Sequence, residues 1–263
     1  MKRLISLLVF CSLMFLLSLP SFAAPLDLSG WSEYTYDLTG GQSAGNWVLS
    51  NNDETVTQTI NADPSMYLNN LNQTSYQMDG SWKVITASDD DFMGFVFGYQ
   101  DPSHFYIMDW KQANQNYGSP YGNALEGFSI KKISANSVGV LTLPDFWEST
   151  GTTQSTILAS SFSTTNGWLD NTFYDFHLDF QPGTFSIEVS LGTTSLWDIT
   201  VNDSSYQSGQ FGFYNFSQEQ VQYSGFEQTG GVIVNPVPEP STFFLLGSGL
   251  AGLVFYARRR RKE

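Results

Sequence analysis

Three consecutive carboxylates, Asp89, Asp90 and Asp91, are the strongest chemical feature of the sequence. In an extended chain Asp89 and Asp91 point the same way, about 6.6 Å apart at ~3.3 Å per residue. The three charges repel one another, and no Lys or Arg lies within five residues on either side. A hard dication would relieve that repulsion, and Ca2+ accepts about 6–8 oxygen ligands in flexible geometry. The same residues also fit a solvated turn leading into a buried strand, so both readings stand at this stage. A zinc site is disfavoured, because only His104 and His177 could supply ring nitrogens.

Other chemistries find less support. Gly41-Gln42-Ser43-Ala44-Gly45 has the form of a hydrolase nucleophile elbow. That elbow needs a strand before it and a helix after it, whereas this stretch lies in a Gly/Ser-rich loop. A glycosidase needs two carboxylates about 5–10 Å apart, but no compact Glu-x-Asp-x-x-Glu strand motif is present. No Walker-type glycine loop occurs either. A sugar-binding surface is the better alternative, because aromatic platforms beside Asn and Asp suit carbohydrate. Trp31, Trp47, Trp82, Trp110, Trp147, Trp168 and Trp197 are available, and most should be core residues. Trp147, beside Asp145 and Glu148 in a weakly patterned stretch, is the expected exposed platform, with Asp145 as its polar partner.

The chain that must position these groups has 263 residues, 16% of them aromatic and 14% charged, with a net charge of −14. Low charge with many aromatics argues against disorder, and the acidity excludes a general nucleic-acid binder. Both ends carry export features. Lys2 and Arg3 precede an apolar run from Leu4 to Leu19, and Ser21 and Ala23 stand at −3 and −1 of a cleavage site, giving a signal peptide over 1–23. The alternative is an N-terminal anchor. Cys11, the one cysteine, leaves with that segment. At the other end, Val237-Pro238-Glu239-Pro240 is followed by an apolar run over 243–257, then by Arg258, Arg259, Arg260, Arg261 and Lys262. That run is at the short end of what spans a bilayer, and the terminal cations would stay cytoplasmic. Between the ends, Lys83, Lys111, Lys131 and Lys132 face 23 acids, for a net of −19. Such a surface should attract cations and repel phosphate or anionic polymer.

The hydrophobic period of this exported part is two. Tyr174, Phe176, Leu178 and Phe180 alternate with polar residues, Pro182-Gly183 turns the chain, and Phe185, Ile187, Val189 and Leu191 alternate again. Phe92 to Tyr99 is nearly continuous in apolar residues and Gly, as in a strand buried on both faces. Phe105 to Trp110 returns beside it. Further strands are predicted over 56–60, 76–86, 128–133, 138–143, 195–201, 211–216 and 221–226. Residues 111–127 and 144–167 are predicted as surface loops and 229–236 as a linker. Many short strands with polar turns give an all-β, two-sheet sandwich, a jelly roll.

Two resemblances follow. Ser88-Asp89-Asp90-Asp91-Phe92-Met93-Gly94-Phe95-Val96-Phe97-Gly98-Tyr99-Gln100 and Phe105-Tyr106-Ile107-Met108-Asp109-Trp110-Lys111-Gln112 resemble the central signature of the thrombospondin C-terminal domain. Upstream, Asn46-Trp47-Val48 and Val56 to Pro64 are similar to its first strands. Downstream, Gly167-Trp168, Gly212-Phe213 and Phe216 to Glu219 are similar to its last third. The resemblance covers 45–228, after a lead-in over 24–44. It implies a legume-lectin-like β-sandwich that binds calcium and mediates extracellular adhesion. Asn61 and Asp63, in the Asn-x-Asp-Pro segment, are the second-choice metal ligands, and Asp101 and Asp109 the third. The Asp-x-Asp-x-Asp repeats, the EGF-like cysteine modules and any Arg-Gly-Asp of the animal proteins are absent from this sequence, so their receptor partners are not implied.

The segment 237–263 resembles the PEP-CTERM sorting signal of Gram-negative bacteria. It implies an exosortase that cuts near Pro238-Glu239-Pro240 and delivers the protein outward from a transient inner-membrane anchor formed by 243–257; a plain membrane anchor is the alternative. Together the features predict a non-enzymatic, exported, calcium-binding, lectin-like adhesion domain at the cell surface or in the exopolysaccharide matrix. Its partner would be extracellular polysaccharide or a neighbouring cell surface. The alternatives are a scaffold without sugar affinity and, more remotely, a glycosidase.

Overall fold

The computed structural model describes residues 25–38 and 40–234. In chain order the strands are β1 (Ser32–Thr35), β2 (Trp47–Ser50), β3 (Thr55–Gln58), β4 (Ser65–Leu68), β5 (Gln73–Val84), β6 (Phe92–Asp101), β7 (His104–Lys111) and β8 (Gln115–Asn116). Then come β9 (Asn123–Ala124), β10 (Gly127–Ser134), the short helix α1 (Leu143–Trp147), β11 (Ser155–Phe162) and β12 (Tyr174–Gln181). The chain continues through β13 (Thr184–Leu191), β14 (Thr194–Asn202), β15 (Gln210–Phe216) and β16 (Val221–Ile233). The front sheet has the order β1-β4-β15-β6-β7-β10-β11 and the back sheet β14-β13-β12-β5-β16-β3-β2, seven strands each. All their pairings are antiparallel. β8 and β9 form a separate small hairpin.

Alternation builds the space between the sheets. Tyr76, Met78, Trp82, Phe176, Leu178, Phe180, Ile187 and Val189 point inward from the back sheet and meet Met93, Phe95, Phe97, Tyr106, Met108 and Trp110 of the front sheet. Trp82 stacks on Phe176 with ring centres 4.8 Å apart. The front sheet also buries its outer face. Phe92, Val96, Phe105, Ile107, Tyr214 and Phe216 form a second core there, with Tyr36, Leu38, Leu141, Phe146 and Trp147 packed over them. This is why 92–99 reads as a continuous apolar run. Gly98, at a φ of +55°, marks a bulge against β15, where the three steps from Val96 to Tyr99 oppose the two from Gly212 to Gln210. The extra residue reverses the alternation, so Tyr99 joins the outer core rather than the inner one.

The hairpin at Pro182-Gly183, the double-sided strand and the returning strand are all in place. Four expectations are corrected. Residues 138–143 hold a 3-10 turn (Val138–Val140) and the start of α1, not a strand. The 144–167 stretch contains β11, which pairs with β10 at the sheet edge. The segment from 229 is strand as far as Ile233, because β16 continues its ladder with β5 to Ile233↔Gln73. The 111–127 stretch contains the β8–β9 hairpin. Among the described residues no helix is long and apolar enough to cross a membrane. The expected signal peptide (1–23), the sorting motif at 237–263 and its span at 243–257 lie outside the described residues.

Candidate metal centre

Asp89, Asp90 and Asp91 occupy the connection from β5 to β6. Each offers a carboxylate oxygen, and these atoms lie within 4.8 Å of one another. Among the described residues this is the one such gathering of three or more acidic, His or Cys side chains. The triplet does not point freely into solvent. The turn from β15 to β16 closes over it, with Ser217 and Gln220 held at φ of 55° and 57°. Left-handed backbone is uncommon at non-glycine residues and persists where the surroundings enforce it. Here the enforcement is a set of hydrogen bonds. Asp91 N donates to Gln218 Oε1 (2.8 Å) and Glu219 N donates to Asp89 Oδ2 (3.2 Å). Ser88 Oγ donates to Glu219 Oε1 (2.7 Å), and Gln220 Nε2 ties the turn to Thr59 O (2.9 Å).

The charge balance differs from the sequence expectation. No cation is near the triplet along the chain, but the antiparallel register of β6 and β7 sets Lys111 opposite Phe92. Lys111 is fully buried. Its Nζ donates to Asp91 Oδ1 (2.5 Å), Asp90 O (3.1 Å) and Gln115 Oε1 (2.7 Å), and lies 3.9 Å from Asp90 Oδ1. The ammonium also sits over the rings of Phe92 (5.1 Å) and Trp147 (4.9 Å). The inner side of the triplet therefore carries its own cation. Gln115 Nε2 donates to Asp90 Oδ1 (2.7 Å), which fixes the middle carboxylate.

One cation does not settle three carboxylates. Burial, then the charges of Asp91 and Asp90, push the Asp89 carboxyl up to about 6 against the pull of amide bonds from Glu219 and Asp90. Burial also raises Asp91, outweighing Lys111 and the Ser217 hydroxyl. Burial lowers Lys111 against the pull of the three acids. The outer side of the group thus holds carboxylate oxygens short of positive charge, which is the donor chemistry of a hard dication. Asp89 and Asp90 fit as ligands on that side. Asp91 has one oxygen committed to Lys111.

The second-choice ligands divide. Asn61 joins the group: its Nδ2 donates to Asp89 Oδ2 (3.0 Å), and a half-turn of the amide would present its oxygen instead. Asp63 does not. Its carboxylate accepts Gln42 N (2.8 Å) and Leu38 N (3.3 Å) and organises the 38–42 loop. A Cβ at Gly41 would collide with that carboxylate. Asp109 is paired to Lys131 (3.0 Å) and Asp101 to His104 (3.0 Å). His177 is paired to Asp79 (2.7 Å) on the outer face of the back sheet.

The expected sugar platform is also corrected. Trp147 ends α1 at 5% exposure, packed edge-on against Phe92 and Phe216. Asp145 is buried, and its Oδ2 accepts Thr142 N (2.7 Å) and Thr142 Oγ1 (2.9 Å) while its Oδ1 accepts Thr152 Oγ1. It caps its own helix. The Thr-x-x-Asp spacing of Thr142 and Asp145 is the signal that could have shown this. Lys111, Gln115 and Gln218 are the residues of the centre that sequence reasoning missed.

The geometry matches a known domain. A family profile described as the thrombospondin C-terminal region matches residues 42–230. The chain belongs to that family. Thrombospondin-3b of Danio rerio is 34% identical over 186 residues, which is 68% of this chain and 20% of that protein. Cartilage oligomeric matrix protein of Rattus norvegicus is 32% identical over 183 residues, 67% of this chain and 24% of that one. The chain thus spans a fifth to a quarter of these curated relatives. In fold, the thrombospondin C-terminal domain described here is similar to the exoplasmic/lumenal domain of VIP36 in its Ca2+/Man2-bound form. The TM-score is 0.50 at 10% identity, over 80% of this chain and 84% of that one. The PEP-CTERM protein-sorting motif matches residues 236–261. It marks the thrombospondin C-terminal domain as the exported part of a Gram-negative protein handled by exosortase.

Proposed function

We propose that the chain is a non-enzymatic, calcium-stabilised, lectin-like adhesion domain, delivered by exosortase to the cell surface or exopolysaccharide matrix. The observation that carries it is the convergence of Asp89, Asp90 and Asp91 under the Ser217–Gln220 turn, with one lysine on the inner side and oxygen-rich chemistry on the outer. Asp89, Asp90 and Asn61 would hold the ion, with Asp91 contributing the oxygen that Lys111 leaves free. Calcium would supply charge neutralisation and tie the β5–β6 connection to the turn between β15 and β16. Extracellular polysaccharide is the proposed partner; the VIP36 structure bears Ca2+ and Man2, and the sorting motif supports export of the domain.

The test is calorimetry on the full chain in a non-glycosidic detergent. Calcium at about 100 times its Kd should add roughly 2.7 kcal/mol, or about 5–11 °C at 2–4 °C per kcal/mol. An Asp89→Asn/Asp90→Asn variant, which leaves the Lys111–Asp91 pair intact, should lose most of that gain. An unchanged wild-type melt on adding chelator or calcium would sink the metal role.

A further inference from the structure

Next to the metal centre lies a cavity of about 240 Å3 that no part of the calcium reading uses. Its walls come from five segments: the 40–42 loop, Asp63 just before β4, the β8–β9 hairpin, α1, and the end of β15 with the turn after it. Four of the wall residues are aromatic: Tyr117, Tyr121, Trp147 and Phe216. Tyr117 is 60% exposed and stands at the rim, its ring centre 5.0 Å from that of Trp147. A large aromatic ring left in solvent beside a concave surface marks a contact site more often than a packing role.

The polar atoms of the walls are few and incompletely paired. Trp147 offers the cavity its ring, while its indole N–H is buried out of reach. Gln42 Nε2 donates to Ser217 Oγ (2.9 Å), which leaves the Gln42 carbonyl oxygen available. The Asp63 carboxylate takes two amides of the opposite loop and retains further lone pairs. Gly40 and Gly41 form one lip. At Gly41 any Cβ would strike the Asp63 carboxylate, so the absence of a side chain there keeps the mouth open.

Size and charge narrow the ligand. The cavity is below the roughly 300–1,000 Å3 of sites for drug-sized molecules, so it accommodates one ring with the remainder in solvent. The field is negative. Asp63 lines the wall without a lysine partner, and its carboxylate stays beside the cavity when calcium and Lys111 neutralise Asp89, Asp90 and Asp91. Carboxylated or phosphorylated ligands are repelled. The one ammonium nearby, Lys111, already lies on the Trp147 ring, so a second cation is disfavoured there. Aromatic faces and acceptors for hydroxyl protons suit a neutral polyhydroxylated ring.

We infer that this cavity binds one neutral pyranose residue, the end of an extracellular glycan, stacked on Tyr117 with its hydroxyls donating to Gln42 and Asp63. The inference rests on the lectin-like reading above and locates its sugar away from Asp145. The experiment is saturation-transfer NMR on the calcium-loaded full chain in a non-glycosidic detergent. The probes are methyl pyranosides of glucose, galactose and mannose, with glucuronate and glucosamine as charged counterparts. At least one neutral pyranoside should receive saturation on its ring protons, with neither charged sugar matching it. Tyr117→Ala should weaken that sugar about tenfold, and Tyr117→Phe should keep it within about threefold. The calcium-induced rise in melting temperature should be the same in wild type and Tyr117→Ala, so failure of the sugar site is distinguishable from failure of the metal site. No transfer to any neutral pyranoside, stronger transfer to a charged sugar, or wild-type affinity in Tyr117→Ala would each overturn the inference.

Discussion

Replacing Lys111 by Met tests how the buried cation and a bound metal divide the triplet. The side chain is nearly isosteric, so packing against Phe92 and Trp147 is largely kept while the charge is removed. Asp91, at 4% exposure, then loses its 2.5 Å partner, and Asp90 O and Gln115 Oε1 lose a donor. Breaking a buried pair from one side costs about 3–5 kcal/mol. For a domain of this size that is a fall of about 6–20 °C in melting temperature, measured by calorimetry in chelator near pH 7.5.

The loss has a pH signature. Burial already raises Asp91 above the ordinary carboxylate range despite Lys111. Without the ammonium it rises further, so the native state keeps a proton that the unfolded chain releases near about pH 4. Stability then falls as pH rises through that window, and the deficit should be smaller at pH 5 than at pH 8. Calcium should recover more in Lys111→Met than it adds to the wild type, because the ion replaces a missing counter-charge rather than supplementing one. A variant that melts within about 1 kcal/mol of wild type in chelator refutes the account of Asp91 as a buried charge that depends on Lys111. Equal calcium gains in the two proteins refute the sharing of oxygens between ammonium and metal.

Two further predictions concern distant parts of the chain. Burial pushes the Asp203 carboxyl up, but hydrogen bonds from Lys132, Ser205 and Tyr106 together hold it well below its ordinary value. Its stabilisation is therefore present above about pH 4 and is lost as pH falls below it. Asp203→Asn should cost roughly 2 kcal/mol at neutral pH, with the gap to wild type closing in acid melts; a gap independent of pH would contradict the charged bond set. At the C-terminal end, a Pro238→Ala/Glu239→Ala variant should remain in the membrane fraction, as followed by immunoblot, and release at the wild-type level would rule out cleavage by an exosortase at that motif.

The strands of this fold were legible because a half-buried strand repeats every two residues, and a strand buried twice, such as 92–99, shows no period at all. Edge strand β11 was not legible. Its sequence, Ser155 to Phe162, mixes small polar and apolar residues without alternation, and it holds its place through the backbone ladder with β10. The triplet was visible as a local charge problem, but its answer was not. Lys111 stands twenty residues from Asp91 in the sequence and becomes its neighbour only when β6 and β7 pair in one particular register. Trp147 is illegible for a related reason: its segment has the weak local pattern of an exposed loop, yet it is pinned by the Thr142–Asp145 cap and pressed onto the outer core.

The distribution of the lysines leaves the outside of this domain short of positive charge. Three of the four between the terminal segments each neutralise a mostly buried acid: Lys111 with Asp91 (2.5 Å), Lys131 with Asp109 (3.0 Å) and Lys132 with Asp203 (2.8 Å). The fourth, Lys83, lies over the ring of Phe173 at 4.3 Å. Positive charge is thus directed to the inner faces and seams, where an unpaired carboxylate would be most costly, and almost none remains to balance the acids in contact with water. Where those acids are scattered, water and mobile salt suffice. Where Asp89, Asp90 and Asp91 are forced within 4.8 Å of one another by the turn above them, screening by mobile salt is weaker and a localised dication is the remaining way to keep all three ionised. At the neighbouring cavity Asp63 is left without a lysine partner, so the choice of a neutral over an acidic sugar there also follows from where the chain's few lysines are placed.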